Sequence, residues 1–263
     1  MKFSMMTYTM MRQPGFTPED CVKVAQELKM EGIDWVTTYG RDPKELKTMS
    51  EDAGLVVAAH TFFVPGATIA EKVSNAEKSL DDVCILGAPV VMIPPCPFAA
   101  DVTDPAENRK LWIEILAEVA PLAEKRNLLF TVENFPGAAS GFVTADDFYE
   151  AKKAIPSLKL TFDNGNAASG EDQIESLKRC FSDVVHVHFK DWDITAENDG
   201  TRRQMRDGRY YVPALIGEGN IDSRATLKAL DELGYNGYIN IEYENDKYPA
   251  DVAIRKALEY LRA

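Results

Sequence analysis

The chain has 263 residues, 45% of them hydrophobic, and a formal net charge of −13. That length is enough for one large core, and the acidic balance opposes a phosphate backbone, so nucleic acid is not an expected partner. No apolar run is long enough to span a bilayer, and four cysteines without CxxC spacing suggest neither a disulfide framework nor a zinc ribbon.

Lys2–Thr9 reads as a first strand that begins almost at once, with no signal-peptide pattern, so a reducing cytoplasm is the expected compartment. Pro14-Gly15 is a turn. Thr17-Pro18-Glu19-Asp20 opens a helix with a cap, a proline at the first position and acids in the first turn. Strand Ile33–Tyr39, helix Pro43–Ala53, strand Leu55–Thr61, helix Thr68–Leu86 and strand Val90–Ile93 follow. A long helix from Asp104-Pro105 to about Arg126 precedes strand Leu128–Glu133. The pattern continues with helix Thr144–Ile155, strand Leu158–Asp163, helix Asp172–Phe181 and the strand in Val184–Trp192. After a long loop come helix Ser223–Leu233, strand Gly237–Glu242 and a last helix from Pro249 to Arg262. Cys21, Cys84 and Cys180 lie in helix-like stretches and read as small buried apolar residues.

Strand and helix thus alternate eight times over residues 1–263. Alternation implies parallel strands with right-handed crossovers, and eight such units favour a closed (β/α)8 TIM barrel of one domain. The alternative is an open doubly wound sheet, but GxGxxG is absent. Residues 193–216 are too long for a bare connector and predict a lid or small hairpin.

In a barrel the site lies at the carboxyl ends of the strands. The fifth strand ends TVENF, the sixth TFDNGN, the seventh HVHFKD and the eighth NIEYE. With a period of two, Thr131 and Glu133, Thr161 and Asp163, His186 and His188, and Asn240 and Glu242 face one way. Phe130 and Val132, Leu160 and Phe162, Val185 and Val187, and Ile239 and Ile241 face the other way, fit to pack against outer helices. Glu133, Asp163, His188 and Glu242 therefore converge. Three clustered carboxylates without a cation would repel one another, and a divalent metal removes that problem. Mixed oxygen and imidazole ligation suits manganese, cobalt, magnesium or zinc.

The motifs VENF, FDNGN, HVHFKD, LIGEGNID and GYINIEYE resemble the sugar phosphate isomerase/epimerase superfamily with xylose isomerase-like barrels. The resemblance covers nearly the whole chain and is strongest from Glu133 to Glu242. It implies that Glu133, Asp163, His188 and Glu242 bind one divalent metal ion, and that Glu133 and Glu242 are the catalytic acid–base pair. It also implies a substrate-binding role for His60, at the end of the third strand, with a core histidine as the alternative. Asn166 is a substrate-side candidate, and it departs from the family pattern, since several epimerases and endonucleases carry a histidine there. Lys190 faces inward, for a substrate oxygen or enolate contact, or else for a salt bridge to a rim acid. His186 lies one pleat deeper and reads as support. Tyr8, Tyr39, Phe62, Phe135 and Trp192 can wall a pocket, Glu218 reads as a turn acid, and Glu244 as a rim acid. Arg202, Arg203, Arg206 and Arg209 offer an anion clamp or a solvated loop.

The expected function is a metal-dependent isomerase or epimerase of a carbohydrate or polyol, working by carboxylate proton abstraction beside a metal-held carbonyl. A dehydratase or lyase on a ketosugar or inosose is the alternative with the same residues. An apurinic endonuclease would need more histidines than the three present, and a non-catalytic binding protein would tolerate loss of Glu242. No membrane partner is expected, and a homo-oligomer is possible.

Overall fold

The computed structural model describes residues 1–263. Its first half runs β1 (Lys2–Met6), α1 (Thr7–Met11), α2 (Pro18–Glu27), β2 (Gly32–Val36), α3 (Pro43–Asp52), β3 (Val56–Thr61), α4 (Ile69–Leu86) and β4 (Val90–Ile93). The second half runs α5 (Pro105–Glu124), β5 (Leu129–Glu133), α6 (Ala145–Ala154), β6 (Lys159–Asp163), α7 (Asn164–Ala167), α8 (Gln173–Cys180) and β7 (Val184–Phe189). An excursion of three short strands follows, β8 (Asp191–Thr195), β9 (Arg203–Gln204) and β10 (Tyr210–Ala214), and then α9 (Ser223–Glu232), β11 (Tyr238–Ile241) and α10 (Ala250–Arg262).

Helix starts follow local chemistry. Thr17, Thr68 and Thr144 each accept from the backbone N–H three residues on, and Asp20, Glu71 and Asp147 return the bond. Each such capping box satisfies two donors that the helix cannot, at about 1 kcal/mol apiece. Gly87 closes α4 at φ 76°, a left-handed turn that glycine takes without strain.

The strands close into one parallel barrel in the order β1-β11-β7-β6-β5-β4-β3-β2. Phe130, Val132, Leu160, Phe162, Val187, Phe189, Ile239 and Ile241 are buried against the helix layer. The inner face is different: Ser4, Asp34, Thr61, Thr131, Thr161, His186, His188 and Asn240 are all buried and polar. They satisfy one another across strands. Thr131 and Thr161 share a hydroxyl bond of 2.8 Å, Asn240 Nδ2 donates to Asp34 Oδ2 at 2.7 Å, and Ser4 Oγ donates to Asn240 Oδ1.

Three expectations need correction. The first strand stops at Met6 rather than Thr9, because Thr7–Met11 winds into a helical turn in which Thr7 Oγ1 donates to Asp34 O and accepts from Val36 N–H. Strand β2 stops at Val36 rather than Tyr39, because Thr37 and Tyr39 take φ of 65° and 51° and leave the extended region. Cys84 is exposed on α4, although Cys21 and Cys180 are buried.

After Phe189 the chain leaves the barrel, and residues 191–214 form an antiparallel sheet in the order β8-β10-β9. Asp191 pins its base by accepting from the N–H groups of Trp192, Gly217, Gly219 and Ile221 at 2.8–3.0 Å. A Cβ at position 219 would collide with that carboxylate, so this turn requires glycine. Arg206 ties the sheet's tip back to the barrel through Ser140 O at 2.7 Å and Asp147 at 3.5 Å. No helix is long and apolar enough to cross a membrane.

Candidate metal centre and active site

Ladder register brings the strand-end polar groups together. Glu133 stands beside Thr161, Asp163 beside His188, and His188 beside Asn240, with Glu242 following on the same face. A register shift between Leu160 and Thr161 leaves Val185 unpaired with β6, and His186 and His188 both face inward beyond it. One ligand atom each from Glu133, Asp163, His188 and Glu242 lies within 4.8 Å of the others, and all four residues are buried.

His188 Nδ1 is 2.8 Å from Glu133 Oε1 and 3.9 Å from Glu242 Oε2. Asp163 Oδ1 accepts from Asn166 N–H at 2.7 Å, which leaves Oδ2 with no hydrogen-bond partner. Glu242 Oε1 is 2.8 Å from Lys190 Nζ, and Oε2 has no partner. Buried carboxylate oxygens without donors are costly, and here two of them point into one cluster with an imidazole nitrogen. This donor set fits a divalent cation, three carboxylates and one imidazole being a mixed O/N environment.

Electrostatics point the same way. Burial drives the Asp163 carboxyl well above its ordinary value, with Glu242 and Glu133 adding to it against the pull of Lys190. Burial likewise raises Glu242 to about 7, opposed by Lys190 and reinforced by Glu244 and Glu133. Burial alone would lower His188, but Glu133, Asp34 and Glu242 outweigh it and hold the imidazole well above its usual range. Lys190 stays charged for the same reason: Glu242, then Glu244, overcome its desolvation.

Burial thus favours the protonated carboxyls of Asp163 and Glu242, and the neighbouring carboxylates favour the protonated His188 ring, so a cation competes with protons at these donors. Metal affinity should therefore rise with pH through about 7, by about tenfold per unit for each proton released. Calorimetric titrations below, at and above neutrality check this. An affinity that does not change with pH, or that weakens as pH rises, contradicts the proton balance.

Glu133 and Glu242 line a cavity of about 280 Å³ together with Lys190 and Glu244, with Tyr8, Phe63 and Phe135 among its apolar walls, and Asp163 and His188 lie behind that lining. Lys190 Nζ bridges Glu242 and Glu244 at 2.8 Å each. Arg203 of β9 also reaches the cavity and lies over the Trp192 ring, 5.8 Å from its centroid. The other arginines of that stretch are occupied elsewhere, Arg202 by Asp193 and Asp199, Arg206 by Asp147, and Arg209 by Asp207.

Two candidate substrate contacts lie elsewhere. His60 pairs with Trp35 and Val91, whereas Ala59 and Thr61 occupy the inward positions of β3. The one-residue parity turns His60 to the helix side, where it borders a separate surface pocket with Asn75 and Lys78, and burial lowers its pKa to about 4. Asn166 sits in α7 directly behind Asp163. Its backbone holds that carboxylate, and its side chain is buried but does not line the cavity. Tyr39 and Phe62 also lie off the cavity, and Glu218 pairs with Lys247 and Tyr248 at the surface.

One residue of the cluster escapes the strand-end reading. Asp34, in the middle of β2, is fully buried, with Oδ2 3.5 Å from His186 Nε2 and 3.7 Å from His188 Nε2. Contacts with the two histidines lower its pKa against the opposing effect of burial. A lone acid between the apolar Ile33 and Trp35, on the opposite face of the strand from them, is the signal that could have found it.

A closed parallel barrel with its ionisable groups gathered at the carboxyl ends of the strands has the architecture of the (β/α)8 barrel enzymes. The family model described as the xylose isomerase-like TIM barrel matches residues 22–263, and the chain belongs to that family. Among its relatives is an inosose dehydratase of Geobacillus thermodenitrificans, 26% identical over 271 residues, which span 94% of this chain and 89% of that protein. The fold is also similar to that of the IOLI protein with a bound zinc atom, with a TM-score of 0.78 at 18% identity over 98% of this chain and 96% of that one. D-Psicose 3-epimerase from Clostridium cellulolyticum has a TM-score of 0.76 at 14% identity, covering 100% of this chain and 98% of that one.

Proposed function

We propose that this protein is a divalent-metal-dependent enzyme that removes a proton from the carbon beside the carbonyl of a keto-polyol and then expels a neighbouring hydroxyl as water. The substrate class is a cyclic keto-polyol of the inosose type. The observation that carries the reading is the convergence of Glu133, Asp163, His188 and Glu242, with two unpartnered carboxylate oxygens, beside a sugar-sized cavity that Glu133 and Glu242 line. The relative named inosose dehydratase, which aligns over nearly the whole length of both chains, favours loss of water as the outcome.

A divalent cation held by those four residues supplies a Lewis acid beside the carbonyl. Glu133 and Glu242 are the acid–base pair: one takes the α-proton, and the other delivers a proton to the departing hydroxyl. Their strands β5 and β11 are separated in the barrel by β6 and β7, so the two carboxylates approach a bound molecule from different sides. Lys190, 2.8 Å from Glu242 Oε1, presents an ammonium to the oxygen that gains charge. Tyr8, Phe63 and Phe135 exclude water from the carbon skeleton.

The approach of two carboxylates from different sides also favours a second reading, in which the proton returns to carbon and the product is an epimer or isomer. Incubation with keto-inositols, ketohexoses and 3-ketoglucosides in deuterated water, followed by NMR, separates the two. A new enone or diketone supports dehydration. Deuterium at the α-carbon without loss of water supports epimerisation or isomerisation. Absence of both outcomes across the panel, with metal supplied, rejects the proton-abstraction chemistry itself.

A further inference from the structure

We propose that Asp34 is the positioning residue that orients His188 and fixes which of its nitrogens is offered to the cation. The proposal rests on the reading of Glu133, Asp163, His188 and Glu242 as the donor set. An imidazole ring can present a lone pair at one nitrogen while the other carries its proton, and a neighbouring acceptor decides which. In His188 the division is already made: Nδ1 faces the carboxylates of Glu133 and Glu242, at 2.8 Å and 3.9 Å, and Nε2 faces Asp34 Oδ2 at 3.7 Å. No hydrogen-bond partner satisfies Nε2, and Asp34 Oδ2 is the carboxylate oxygen facing it, so a small ring rotation closes the bond.

Asp34 is itself held by residues of nearby strands. Its Oδ2 accepts from Asn240 Nδ2 at 2.7 Å and from Thr61 Oγ1 at 3.4 Å, and Asn240 is fixed in turn by Ser4. Residues on β1, β2, β3 and β11 thereby aim one acceptor at a ring on β7. Asp34 is absent from the cavity lining, so it acts on the cation through the ring rather than by touching substrate. His186 Nε2, 3.5 Å from the same oxygen, shares this acceptor.

Asp34, His186 and His188 also place ligand atoms within 4.8 Å of one another, which makes a second cation site the rival explanation. Asp34 Oδ2 already collects the Asn240 amide and the Thr61 hydroxyl, and an oxygen set among N–H and O–H donors suits a further ring N–H better than it suits a cation. Positioning is therefore the reading that the geometry favours.

The test measures zinc binding by wild type and by Asp34→Asn, which keeps the shape and removes the charge. Chelator competition should show one zinc per chain in both, with about 10- to 100-fold weaker affinity in the variant. In the zinc-loaded wild type, labelled with ¹⁵N-histidine, the His188 Nε2–H proton should resonate far downfield and exchange slowly. In Asp34→Asn it should move upfield. This signature belongs to the hydrogen bond and would not respond to a merely structural role, and the wild-type spectrum is decisive even if the variant fails to fold. Unchanged affinity in a folded variant, two zinc ions per wild-type chain, or no protected Nε2–H in the wild type each overturn the proposal. A wild type that binds no zinc, manganese, cobalt or magnesium overturns the underlying reading of the site instead.

Discussion

Glu242→Gln is expected to lower turnover by roughly 10³- to 10⁴-fold while leaving the barrel folded. The side chain keeps its shape and its Oε1, so Lys190 retains one partner here and keeps Glu244 as a second at 2.8 Å. The variant loses the ability to accept or deliver a proton and a negative charge in the donor set. Stability should move in the opposite direction. Burial, helped by the neighbouring Glu244 and Glu133, has already raised this carboxyl to about 7, so in the ion-free protein its ionised form is disfavoured at neutral pH. Removing it relieves like-charge crowding. The ion-free variant should therefore melt at or above the wild-type temperature at neutral pH. The sign follows from the direction of the shift: a carboxyl whose folded pKa is raised above its unfolded value costs stability as pH climbs between the two. Turnover of a keto-inositol and thermal melts of ion-free protein check both halves. A variant that retains wild-type turnover would mean that the acids at this rim do not perform the chemistry. Such retention is what a non-catalytic relative sharing the fold would show.

Stripping the protein of divalent ions should abolish turnover and lower its melting temperature, and adding back one equivalent of ion should restore both. A ligand at one hundred times its dissociation constant stabilises the native state by about 2.7 kcal/mol, which for a domain of this size is roughly 5–10 °C. The affinity behind that gain comes from ligation giving partners to Asp163 Oδ2 and Glu242 Oε2, which otherwise have none. Native mass spectrometry of the reloaded protein should count one ion per chain. Full turnover in chelator, with no change in melting temperature, would remove the cation from the account. Restoration by manganese, cobalt, magnesium or zinc in different degrees would show which ion suits a mixed carboxylate and imidazole set, a choice that depends on coordination geometry.

Much of this was legible along the chain because a strand has a period of two and a barrel has only two faces. Phe130 and Val132 around Thr131, or Ile239 and Ile241 around Asn240, already announce which side meets helices, and the polar residue at each carboxyl end then falls inside. The same period misleads at the ends of strands. His60 is the penultimate residue of β3 and lies on the helix side, while Thr61, which ends the strand, faces the cavity. Extending the first strand to Thr9 missed the bond network of Thr7, which depends on Asp34 O and Val36 N–H from another strand.

By itself the sequence determined the alternation of eight strands with helices, the closed barrel, and the inward gathering of Glu133, Asp163, His188 and Glu242, because periodicity and strand ends are local properties. Only the tertiary structure decided that Asp34 on β2 stands opposite His188 on β7, that Lys190 is shared between Glu242 and Glu244, and that β9 brings Arg203 to the cavity. Those pairings depend on ladder register, on the stagger of a closed sheet and on the path of an excursion pinned by Asp191, all of them relations between distant segments. A local pattern specifies the direction in which a side chain points, and barrel closure specifies what it meets there.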